Sequence, residues 1–197
     1  MKNLADFGYA IIPGFIELPL VRELVAESRD SRAEGDFVPA AIGMGDQKQV
    51  VAQIRTDEIR WLEPQNLSGP QSRYWDQMEV LRVTLNRTLF LGLFELEAHL
   101  ACFPPGGFYK AHLDCHQNSN ARILSTIIYL DEGWATVDGG QLRLYTDRET
   151  GINGTSIDIF PEPGKLVVFL SPVFWHEVRV STRHRHSMTG WFRRRPE

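Results

Sequence analysis

From Glu95 onward the apolar residues come in short runs, and turn residues separate them. The runs span 95–103, 109–114, 122–130, 140–145, 155–160, 165–171, 176–181 and 185–194. The breaks fall at Pro104-Pro105-Gly106-Gly107, Asp138-Gly139-Gly140, Gly151 to Gly154 and Pro161 to Gly164. Runs this short, rich in β-branched and aromatic residues and punctuated by Gly and Pro, read as strands. Eight of them at this spacing predict an antiparallel sandwich or barrel, for which a jelly roll is the eight-strand solution.

Before Glu95 the period lengthens. Leu20, Val21, Leu24 and Val25 recur at helical spacing, with Arg22, Glu23 and Glu27 between them and Pro19 in the first turn. Trp75, Met78, Val80, Leu81, Leu85, Leu89 and Phe90 place a second helix with one buried face within 72–94. Phe7 to Phe15 predicts a short strand closed by Pro13-Gly14, and Val50 to Asp57 predicts another. Glu34 to Lys48 has no period and carries Gly35, Pro39, Gly43 and Gly45. A long loop of this kind in a compact domain reads as a lid. The expected fold class is mainly β with supporting helices, a double-stranded β-helix (jelly roll, cupin-like). It is expected to form one domain over 1–197, with helical support and lid in 1–94 and the jelly-roll core in 95–194.

Composition changes the picture only by exclusion. With 43% hydrophobic and 23% charged residues the chain can build a core. A net charge of −4 speaks against nucleic acid or a membrane surface as partner. Two cysteines, Cys102 and Cys115, make no metal-binding pair and suggest no disulfide framework, so a reducing cytoplasm is the expected setting. No apolar run reaches membrane-spanning length. A monomer is expected.

The candidate chemistry lies at the end of Ala101 to Asp114. On an extended segment His112 and Asp114 point the same way, so an imidazole and a carboxylate can reach one metal ion. His176 follows the apolar run Lys165 to Trp175 and opens a late strand. In a jelly roll, a late strand can lie beside an early one. The three side chains would then make a two-His, one-carboxylate triad, which leaves positions open on an iron(II). Arg185, expected to begin the partner of a 176–194 hairpin, would point into the same mouth. Its planar fork suits a carboxylate held through two hydrogen bonds. Tyr129 would add a hydroxyl. Together they fit a dicarboxylate cosubstrate with one end on the metal and the other on Arg185.

These residues resemble the prolyl-hydroxylase branch of the iron(II)/2-oxoglutarate-dependent dioxygenases, the oxygen-sensing prolyl hydroxylases of animals and their bacterial relatives. The segments that carry the likeness are I-R-T-D-E-I-R-W (54–61), A-C-F-P-P-G-G-F-Y-K-A-H-L-D (101–114), S-T-I-I-Y-L (125–130), G-G-Q-L-R-L (139–144), H-E-V-R-V-S-T-R-H-R (176–185) and G-W-F (190–192). The resemblance implies iron on His112, Asp114 and His176, with the far carboxylate of 2-oxoglutarate on Arg185 and Tyr129. It implies substrate contacts at Arg122 and Trp191, and a mobile substrate-closing region at Arg55 and Asp57. O2 would be the oxidant, with ascorbate in support. The substrate implied is a loop proline of a protein, with a translation elongation factor as a candidate. One departure is Phe103, which stands where the family commonly has tyrosine, ahead of a glycine-rich turn one residue shorter.

Two other readings keep the barrel. In one the substrate is a free amino acid or another small molecule. In the other the chain is a non-enzymatic, cupin-like metal-binding sensor, although a structural site needs no anchor of the Arg185 kind. Cys115, beside Asp114, is a candidate for oxidation during uncoupled turnover. Arg193 to Arg195 reads as a solvated chain end.

Overall fold

The computed structural model describes residues 2–43, 49–114 and 121–195. Two antiparallel sheets carry the fold. The larger has the order β1 (Tyr9–Ile12), β9 (Leu166–Leu170), β6 (Arg122–Tyr129), β11 (Arg185–Arg193), β4 (Glu95–Phe103), β3 (Glu58–Trp61) and β2 (Val38–Pro39). The smaller runs β5 (Tyr109–His112), β10 (His176–Val178), β7 (Leu142–Tyr145) and β8 (Ser156–Ile159). The eight strands expected after Glu95 are present, closed into a double-stranded β-helix.

Two apolar layers follow from the alternation of side chains along the strands. Leu100, Cys102, Leu124, Ile128, Val168, Met188 and Phe192 face one way. They pack on α2 (Leu18–Ala33) and α3 (Gly69–Leu89) through residues such as Leu24, Tyr74, Met78 and Leu85. Ala101, Phe103, Ile127, Tyr129, Val167 and Phe169 face the other way and meet Leu142, Leu144 and Val178 of the smaller sheet. The larger sheet is therefore covered on both faces, which is why β6 and β9 are buried along nearly their whole length. Both helices start where the sequence directs. Pro19 sits in the first turn of α2, and Ser68 caps α3 in a reciprocal pair with Gln71.

Three expectations need correction. Residues 50–57 are not a strand. Ile54 and Arg55 both bond back to the Val51 carbonyl in a turn, and the strand is β3, set by its pairing with β4 from Glu58 opposite Cys102 to Trp61 opposite His99. The stretch 34–48 is not featureless. Val38–Pro39 pairs with β3, and Ile42 exchanges both main-chain bonds with Gln49; residues 44–48 lie outside the described ones. The segments 176–181 and 185–194 do not form a hairpin. β10 belongs to the smaller sheet and β11 to the larger, and the intervening chain carries the backbone from one to the other. A short helix, α1 (Lys2–Phe7), also precedes β1.

Candidate metal and dicarboxylate site

A cavity of about 540 Å³ opens between the two sheets, and His112, Asp114, His176, Arg185, Trp191 and Arg55 are among its walls. His112 ends β5 and His176 begins β10, and the two are direct cross-strand partners. Asp114 lies just past the end of β5. His112 Nε2 is 3.5 Å from Asp114 Oδ1, and His176 Nε2 is 3.4 Å from Asp114 Oδ2. One ligand atom from each of the three lies within 4.8 Å of the others, a set that could hold a metal ion.

Backbone carbonyls orient both imidazoles. His112 Nδ1 is 2.8 Å from the Lys110 carbonyl, and His176 Nδ1 is 3.1 Å from that of Phe174. A carbonyl only accepts, so each Nδ1 carries the proton and each Nε2 lone pair is left for a metal. Tyr109 stacks on the His112 ring at 3.6 Å, and Phe169 backs His176 at 4.7 Å. Burial pushes His176 down to about 4, despite the nearby Asp114, so the ring stays neutral. Burial alone would raise the Asp114 carboxyl, but His176, His112 and Ser125 outweigh it and hold it well below the usual range. Two imidazoles and a carboxylate form the donor set suited to a non-haem iron(II) with open positions.

Deeper in the cavity sits Arg185, 1% exposed. Its Nη1 reaches Ser187 Oγ at 3.5 Å, while Nε and Nη2 are buried without a partner. The guanidinium lies 5.2 Å from the Phe103 ring, directly across the β4–β11 ladder, and 5.0 Å from the Tyr129 ring. Burial raises the Tyr129 hydroxyl, partly offset by Arg185, so the phenol keeps its proton and can donate. A buried cation with orphaned donors fits an incoming carboxylate. Phe103 offers an apolar wall in place of a hydroxyl.

Arg122, Trp191, Arg55 and Asp57 line the same cavity. Arg122 bonds to Glu97 at 2.6 Å and lies 3.6 Å over the Trp191 ring. Arg55 and Asp57 form a two-bond ion pair at 2.8 and 2.6 Å, with Arg55 also 4.1 Å over the Tyr109 ring. All nine predicted positions are brought together at or around one cavity, Tyr129 as part of its apolar backing rather than its surface. Reasoning from sequence missed Ser125, Ser187, Tyr109 and His99. Ser125 and Ser187 are hydroxyls in otherwise apolar, inward-facing strand positions, and that interruption was the available signal. His186 is structural, bonded to Asp131 at 2.9 Å, and Cys115 and His116 lie outside the described residues.

Residues 98–193 match the family model described as the 2OG-Fe(II) oxygenase superfamily. Among solved structures, a prolyl-4-hydroxylase of Pseudomonas putida is 40% identical, with a TM-score of 0.87 over 99% of this chain and 97% of that one. A prolyl hydroxylase of Trichoplax adhaerens, solved with a peptide of the hypoxia-inducible factor oxygen degradation domain, is 25% identical. Its TM-score is 0.84 over 98% of this chain and 86% of that one. A prolyl 3,4-dihydroxylase of Ostreococcus tauri is 40% identical over 92 residues, which are 41% of this chain but only 18% of that protein. The chain therefore spans a small fraction of that relative's length.

Proposed function

Since the chain belongs to the 2OG-Fe(II) oxygenase superfamily, we propose that it hydroxylates a prolyl residue of a protein, using iron(II), 2-oxoglutarate and O2 and releasing succinate and CO2. The observation that carries the reading is one cavity holding both a convergent His-Asp-His donor set and a buried arginine with unpaired donors.

In this reading His112, Asp114 and His176 are the iron ligands. Bound there, the iron supplies the oxidising chemistry, coupling decarboxylation of the keto acid to insertion of an oxygen atom into a substrate C–H bond. The remaining work falls to the chain. The Lys110 and Phe174 carbonyls keep both imidazoles in one tautomer. Arg185, with the Tyr129 phenol beside it, binds the far carboxylate of 2-oxoglutarate and so fixes the keto end relative to the metal. Phe103, Ile127 and Leu142 line the wall with apolar surface and exclude water. Arg122 and Trp191 frame the entrance where a prolyl segment would lie, and the Arg55–Asp57 pair braces the loop above it. The Pseudomonas and Trichoplax neighbours carry prolyl hydroxylase names at 40% and 25% identity, which supports prolyl over a free amino acid. Arg185 speaks against a purely structural metal site.

The same proposal takes the chain as one catalytic domain, acting as a cytoplasmic monomer with ascorbate keeping the iron ferrous. The low cysteine count and acidic balance support that setting. A loop proline of a translation elongation factor is the first substrate to assay. The deciding experiment incubates the iron-loaded protein with 2-oxoglutarate, O2 and purified elongation factor, or whole lysate protein. Succinate release together with a gain of one oxygen atom on a proline is expected. Succinate release with no proline modified would shift the substrate to a small molecule, and no succinate at all would end the dioxygenase reading.

A further inference from the structure

Ser125 lies on the face of β6 that carries Ile127 and Tyr129 toward the space between the sheets, where the run of apolar residues predicts another apolar side chain. Its Oγ is 2.6 Å from Asp114 Oδ2 and 2.9 Å from Ser171 Oγ, and both serines are fully buried. The direction of these bonds follows from proton count. A carboxylate can only accept, and a hydroxyl has one proton to give. Ser125 gives its proton to Asp114, so Ser171 must give its own to Ser125. Each bond in such a chain polarises the next.

The two ends of this chain are held differently. Ser171 follows β9 and its N–H is bonded to the Ile123 carbonyl at 3.0 Å, which ties it to the centre of the larger sheet. Asp114 lies beyond the last ladder pair of β5 at His112, so strand pairing does not set its carboxylate. We propose that Ser125, backed by Ser171, is a positioning residue that ties one oxygen of Asp114 and thereby fixes the orientation in which the carboxylate meets the metal. This inference rests on the reading of His112, Asp114 and His176 as metal ligands.

The test uses cobalt(II) as probe. Metal-free wild type, Ser125→Ala, Ser125→Thr and Ser171→Ala are titrated by calorimetry, with the visible ligand-field spectrum recorded and each metal-free melting temperature measured. Ser125→Ala is expected to weaken cobalt binding about 10- to 100-fold and to alter the spectrum, as loss of an outer partner of a ligand does. Ser125→Thr, which keeps the hydroxyl, restores both, and Ser171→Ala shifts both in the same direction by less. Wild-type cobalt affinity and spectrum in folded Ser125→Ala, even with a lower melting temperature, would overturn the inference by making the pair merely structural. Should Ser125→Ala not fold, an unchanged affinity in Ser171→Ala overturns the relay. A wild type that binds no cobalt would instead remove the metal site itself.

Discussion

The Arg185 guanidinium stands 5.0 Å from the Tyr129 ring, and among the described residues no carboxylate pairs with it. A buried unpaired cation is costly until a partner arrives. Arg185→Gln should raise the 2-oxoglutarate concentration for half-saturation by roughly 30- to 1000-fold, since losing one partner of a buried charge pair costs about 2–4 kcal/mol. Cobalt affinity without cosubstrate should stay as in wild type. Arg185→Met should also melt higher than wild type when no cosubstrate is present. Equal half-saturation in Arg185→Gln would remove the anchor role.

Asp57 is buried, and the largely covered Arg55 closes a two-bond ion pair with it beside Tyr109. Asp57→Ala strands the guanidinium and should cost about 3 kcal/mol, the usual scale for breaking a buried pair from one side. Replacing both with apolar residues should recover most of that. Urea unfolding of the single and double variants checks the order, and a double variant as weak as the single would refute it.

Acid should unfold the metal-free protein earlier than an average fold. Burial, with Arg55 and Arg122 nearby, pushes His99 down to about 3, and burial pushes His176 to about 4. In the unfolded chain both titrate near ~6.5, so below that pH the unfolded state binds protons that the native state refuses. Stability is full above about pH 6.5 and falls as pH drops toward the folded values. Asp131 adds a second loss. Burial would raise it, but bonds from His186 hold it lower, so its contribution fades below about pH 4. Urea midpoints across this range should show the slope, and His99→Leu should flatten its upper part.

Gly139 has φ +67°, and a Cβ there would overlap the Val180 carbonyl oxygen where Gly139 bridges Ser181. Gly139→Ala should cost about 1–3 kcal/mol, read as a melting temperature lower by about 2–12 °C. Because the next glycine packs against the Arg185 side chain, with a Cβ at Gly140 lying 3.2 Å from Arg185 Cδ, the variant should also weaken 2-oxoglutarate binding. A melting curve superimposed on the wild type would show that the strand can give.

The metal set was legible because two of its members are neighbours in sequence and the third opens a strand after a long apolar run. The β10–β5 register then places His176 directly opposite His112. Other elements depend on pairing that no local pattern encodes. Val50 to Asp57 has the β-branched composition of a strand, yet pairing with β4 starts only at Glu58, and pairing outweighs propensity. The order of 176–181 and 185–194 in sequence suits a hairpin as well as a crossover, and only the sheet assignment separates them. Ser125 was hidden for a different reason. A small polar residue within the buried run of β6 changes no period, and its meaning lies in Asp114, which reaches it from beyond the end of β5.

His176 and Arg185 stand on opposite walls of the same chamber, one on each sheet, and the closed double layer holds those walls at a set separation. The protein thus carries a built-in ruler for its co-reactant: a diacid must be long enough to touch both walls and no longer. A keto diacid with one more methylene should therefore be a poor replacement, and shaving the back wall at Phe103 is where that tolerance would widen.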